Sequence, residues 1–222
     1  MADSIVLNGT IRTNTRPNIP AGSYLSPNMN NGLDMIVAQG LPPLTELVRL
    51  GVVWDVAIAT GSAFTYVAAW PTTRGELVVY NGEPAGGKSL VWLSAWLYNI
   101  TSMGAAQPMT LIGQNVPVVA TVPTDDTAQL VSSRSGKVGY SGRMRRAVAN
   151  TAAGQTTNLW RVLCSGLISS PTTNLGASVW ADMRGAVITP PGGVMAFNAV
   201  AGTAAGTAII GATFAELQID LG

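Results

Sequence analysis

Residues 82–89 read GEPAGGKS and complete the pattern G-x-x-x-x-G-K-[ST]: Gly82, four residues, then Gly87, Lys88 and Ser89. In a phosphate-binding loop each part of that pattern has a task. Backbone N–H groups surround the phosphates, the lysine reaches the β/γ oxygens, and the hydroxyl holds magnesium. The loop must also open a helix, whose N-terminus adds a favourable dipole, and a second strand must end in an acid that manages the metal. The surroundings oppose this. LVWLSAWLYNI after Ser89 is rich in aromatic and branched residues and favours a strand. SVWAD, ending at Asp182, is the one later acidic strand end, and the rest of the chain reads as β.

The chain offers its own account of the loop. NIPAGSYL (18–25), GEPAGGKSLVW (82–92) and TPPGGVMAF (189–197) share Pro-x-Gly followed by an apolar run. Proline presets φ for a turn and glycine supplies positive φ. Gly82, Gly87, Lys88 and Ser89 are therefore expected in a hairpin turn, with Lys88 and Ser89 on the sheet rim and no cofactor bound. Nucleotide binding remains the alternative at these residues.

Other reactive side chains are scarce. There is no histidine and one cysteine, Cys164. That excludes an internal disulfide framework, makes a zinc site unexpected, and removes every Ser-His or Cys-His pair. Cys164 in WRVLCSGL reads as a small buried hydrophobe, and Asp125-Asp126 in VPTDDTAQL as a solvated turn or helix cap. Between Asp126 and Asp182 no acid occurs, whereas Arg134, Lys137, Arg143, Arg145, Arg146 and Arg161 all do. This interval, 134–161, has three readings centred on Arg143, Arg145 and Arg146. It contacts nucleic acid, with Tyr140 available to stack; it meets acids of an adjacent subunit; or it is a solvated loop.

The elements that must carry these residues are set by the pattern. Charged residues make up 10% of the chain and hydrophobic ones 47%, with mean hydropathy +0.31. A chain so poor in charge hides its surface in an assembly or a membrane. The uncharged stretches 89–124 and 185–215 are broken by Pro, Asn, Gln or Thr, so no membrane span is expected, and MADSIVLNGT has no secretory leader pattern. Residues 1–32 read as an extended arm, with Ile5, Val6 and Leu7 as its apolar run, suited to lying on a neighbour. Pro42, Pro43 and Gly51 bracket one short helix near 43–50. After Gly51, short β-branched and aromatic runs recur every 8–15 residues or so, the signature of an all-β sandwich. Residues 33–222 are expected to form one such domain. Most of the six tryptophans should be core, and any exposed ones would suit interfaces or a carbohydrate platform.

GLPPLTELVRLG, YNGEPAGGKSLVWLSAWLYN and PPGGVMAFNAVAGTAAGTAIIGATFAELQIDL together resemble small β-rich virion proteins of tailed bacteriophages. The resemblance implies a jelly-roll-like fold in a capsid decoration (cement) layer, spike or fibre, commonly trimeric, with no catalytic signature. The expected function is a non-enzymatic viral structural protein, located in the virion. Its partners would be copies of itself, a trimer being favoured, and other virion proteins. A carbohydrate-binding receptor module of a phage tail or spike is the alternative, and a P-loop protein the second.

Overall fold

A computed structural model describes residues 43–58, 63–72, 74–101, 104–116, 131–132, 143–150, 159–168, 177–203 and 205–219. The chain divides into two units, Met1–Leu41 and Pro42–Gly222. All described residues belong to the second. Ile5, Val6, Leu7, Asp125, Asp126, Arg134, Lys137 and Tyr140 lie outside them.

The helix α1 spans Pro43–Leu50. Proline at its first position has no N–H to leave unsatisfied, and Gly51, at φ 69°, ends it in the left-handed region. Leu47 and Val48 are half-buried, whereas Leu44 and Leu50 are exposed.

Eleven strands come after it among the described residues: β1 Val53–Ala57, β2 Phe64–Thr65, β3 Gly75–Asn81, β4 Ser89–Asn99, β5 Gln107–Val116, β6 Val131–Ser132, β7 Met144–Asn150, β8 Arg161–Ile168, β9 Ser178–Thr189, β10 Val194–Ala201 and β11 Thr207–Leu217. They form two antiparallel sheets. The first runs β6-β1-β11-β4-β9, with β2 also on β11; the second runs β7-β3-β10-β5-β8. The pairings are nested: β1 with β11, β3 with β10, β4 with β9, β5 with β8. Successive pairs alternate between the sheets. This is one long hairpin rolled on itself, the jelly-roll form of an all-β sandwich.

The core fills the space between the sheets. Trp92 of the first sheet meets Phe197 of the second edge-on, ring centres 5.1 Å apart, and Phe214 of its own sheet at 5.4 Å. Trp54, Leu77, Val79, Leu97, Leu111 and Ile210 surround them, all buried. One irregularity sets which residues face outward. Leu93 interrupts the register of β4 with both neighbours. Before it Leu90 and Trp92 point inward; after it Ala95 and Leu97 do. This bulge exchanges the faces of the strand and sends Trp96 and Tyr98 outward.

A second apolar cluster lies on the far side of the second sheet. Val78, Ile112, Val194 and Ala196 alternate with inward-pointing neighbours, and Trp160, just before β8, packs among them.

Candidate functional site

GEPAGGKS joins strands of different sheets, β3 and β4, so it is a corner and not the expected hairpin. The stretch between β9 and β10 makes the same crossing. Because β3 pairs β10 and β4 pairs β9, the two corners run side by side. The Asn81 N–H donates to the Gly193 carbonyl at 2.9 Å, and the Gly192 N–H to the Asn81 carbonyl at 2.8 Å. Each corner holds the same turn. The Gly87 N–H donates to the Pro84 carbonyl (2.8 Å) and the Gly193 N–H to that of Pro190 (3.0 Å). Gly86 and Gly192 sit at φ 76° and 77°, as the third position of a type II turn requires.

A buried polar network ties the corners together. The Asn81 side-chain amide donates to the carbonyls of Lys88 (2.9 Å) and Thr189 (3.2 Å), and its oxygen accepts the Glu83 N–H. The Thr189 hydroxyl accepts from Trp92 Nε1 and donates to Asn115 Oδ1, both at 2.9 Å. Asn115 Nδ2 donates to the Ile188 carbonyl at 2.7 Å. Asn81 and Thr189 are fully buried, so this network fixes the crossing while leaving little unsatisfied.

Three backbone donors of the loop are engaged within the fold. The N–H groups of Gly82, Glu83 and Gly87 donate to Arg143, Asn81 and Pro84. Gly82 is glycine because a Cβ there would collide with the Arg143 carbonyl. Ser89 opens the strand β4 where a phosphate loop would open a helix. Lys88 is exposed, but Ser89 is fully buried rather than on the rim, although on β4 it falls on the face opposite the inward-pointing Leu90 and Trp92.

The basic interval is not one patch. Arg143 and Arg145 are exposed at the start of β7, and Arg146 stands opposite Val79 in the ladder. β7 is an edge strand and not a solvated loop: Met144 is buried in the core and Val148 packs against it. Arg161 opens β8, at the opposite edge of the same sheet. Cys164, also on β8, is half-buried, and burial pushes its thiol up to about 11. A cleft of about 400 Å³ is lined by Asn115, Leu159, Arg161, Leu163, Val187 and Met195; Cys164 is not part of its lining.

The outer face of the first sheet carries chemistry that sequence spacing does not reveal. Asp55, Thr213, Ser94 and Asp182 stand in one row across β1, β11, β4 and β9. In the next row are Ala57, Gly211, Trp96 and Trp180; beyond it are Ile209, Tyr98 and Ser178. Trp180 is 62% exposed and Tyr98 41%. Trp96 is half-buried and its indole packs against Gly211, where a Cβ would collide with the ring. Thr213 Oγ1 donates to Asp55 at 2.6 Å, and Arg184 Nε to Asp182 at 2.6 Å. Of the remaining tryptophans, Trp54, Trp92 and Trp160 are buried and Trp70 is exposed.

Among the described residues no helix is long and apolar enough to cross a membrane, and no group of three or more Cys, Asp or Glu gathers as metal ligands. No family model matches the chain, and no curated protein matches it. Among solved structures, the cryo-electron-microscopy structure of Mud Crab Dicistrovirus aligns over the whole chain and 91% of its own, at 10% identity and a TM-score of 0.22. A likeness that slight does not establish a common fold.

Proposed function

We propose that this chain is a structural subunit of a virion that packs with copies of itself on a capsid, as a decoration, cement or coat-associated protein, with a trimer as the favoured unit. The work is done by surface complementarity and needs no catalytic group. The observation that carries this reading is the outer face of β8. Val162 stands opposite Ile112 and so continues the apolar cluster of the second sheet to its edge; Leu167 stands opposite Pro108 on the same face, further along the strand. They are 56% and 73% exposed. β8 ends its sheet among the described strands. A sheet edge with bare apolar side chains associates unless it is covered, and a second subunit is the simplest cover. The jelly roll, a fold used by viral capsid domains, and the low overall charge agree with this.

Light scattering on the full-length protein during size exclusion tests it. The expected result is a defined oligomer that dissociates when Val162 and Leu167 are both changed to Asp, with circular dichroism unchanged. A wild-type protein that stays monomeric at every concentration contradicts the reading. Deleting residues 1–32 is expected to weaken the oligomer without unfolding the sandwich.

A further inference from the structure

We infer that the cleft of about 400 Å³, whose walls come from both sheets, binds an alkyl carboxylate: one anionic head on an unbranched apolar tail. Its volume falls within the usual span of small-molecule sites, about 300–1,000 Å³. The second sheet supplies Gly113, Leu163 and Met195, and the first supplies Ala186 and Val187. Met195 belongs to the main core, and Leu163 and Val187 pack against it. A Cβ on Gly113 would come within 2.8 Å of Met195 and 2.9 Å of Leu163, so those two side chains close the floor there. Apolar atoms seated in the cleft therefore leave water and extend the core.

The lining side chains offer one place for charge. Arg161 is exposed, and its guanidinium has no hydrogen bond or ion pair among the described residues. The amides beside it are taken: Asn115 is engaged with Thr189 and Ile188, and Gln114 is not free either. A matching ligand brings one negative charge and is otherwise apolar. A carboxylate fits the planar guanidinium fork through two parallel hydrogen bonds. A sugar or nucleotide would leave hydroxyls against Leu163, Val187 and Met195 without partners. An acidic side chain of a second subunit would neutralise Arg161 and leave the floor empty.

The test is titration calorimetry on the full-length protein with decanoate, kept below its micelle-forming concentration. Decanol supplies the tail without the charge, and butyrate the charge without the tail. Decanoate should bind saturably. Each control should be weaker by about ten-fold or more, the scale of a charge-assisted hydrogen bond. Arg161→Gln should abolish the preference for decanoate over decanol. Ala186→Trp, at an exposed position of the lining, should weaken both. Circular dichroism confirms that each variant is folded. No saturable binding of decanoate overturns the inference, as do equal affinity for decanol or unaltered binding by Arg161→Gln. Dissociation of the oligomer by Arg161→Gln, with no decanoate bound by the wild type, also overturns it and assigns the cleft to a subunit contact. The proposed assembly is read separately, through the Val162 and Leu167 variants.

Discussion

The two outer faces of this sandwich are built on the same rolled hairpin yet differ in chemistry. Outside the second sheet, Val78, Ile112, Val194 and Ala196 form a second buried cluster with Trp160, Val162 extends it into solvent, and Leu167 is exposed further along the same edge strand. Outside the first sheet, aromatic rings alternate with hydroxyls and carboxylates. A sandwich that needs water on both sides would make both faces polar. An apolar face calls for cover, whereas the mixed face can be satisfied by water.

The contrast is broken most severely at Ile112. It is fully buried outside the main core, and Ile112→Ala should cost about 2–4 kcal/mol, measured by chemical denaturation. A cost below about 0.5 kcal/mol, the scale of an ordinary surface change, would mean the second cluster is surface and not core. Next comes Gly211→Ala on the mixed face. The new methyl must displace the Trp96 ring, so a loss of about 1–3 kcal/mol is expected, with a red shift in tryptophan emission.

A smaller effect comes from Glu76, buried at the start of β3 beside Arg74 (2.9 Å). Burial raises its pKa, and the Arg74 guanidinium only partly opposes this. With the folded value above the unfolded one, the folded state holds its proton longer. Stability should therefore fall as pH rises from the ordinary glutamate value through the folded value, and stay lower above it. Glu76→Gln should flatten that slope; an equal slope in the variant would place the titrating group elsewhere. Smallest of all is Lys88→Ala, at the corner joining the two sheets. Its exposed side chain should contribute less than about 0.5 kcal/mol, and calorimetry should find no ATP binding with or without it. Micromolar affinity lost in the variant would restore the phosphate-loop reading.

The strands of the core were legible because each short apolar run coincides with one element. GELVVYN is β3, residue for residue, and Pro43 and Gly51 bracket α1. The exceptions have identifiable causes. MRRAVAN hides β7, because an edge strand needs only Met144 and Val148 on the core and the arginines interrupt the run. SVWADM and GAVIT look like two strands, because the positive-φ pair Arg184 and Gly185 resembles a turn; it is a bulge inside β9. The corner turns were visible as Pro-x-Gly-Gly, but not their crossing between sheets or the burial of Ser89, which depend on long-range pairing with β9, β10 and β11. The mixed face was out of reach for the same reason. Trp96 meets Trp180 and Gly211 only through long-range register, and the Leu93 bulge that turns it outward leaves no mark on local alternation.

Electron microscopy of the purified full-length protein tests the central claim, self-assembly, most directly. The account predicts regular, symmetric oligomers, trimers foremost, that are lost when Val162 and Leu167 are changed to Asp. A uniform field of single subunits from the wild-type protein would contradict it.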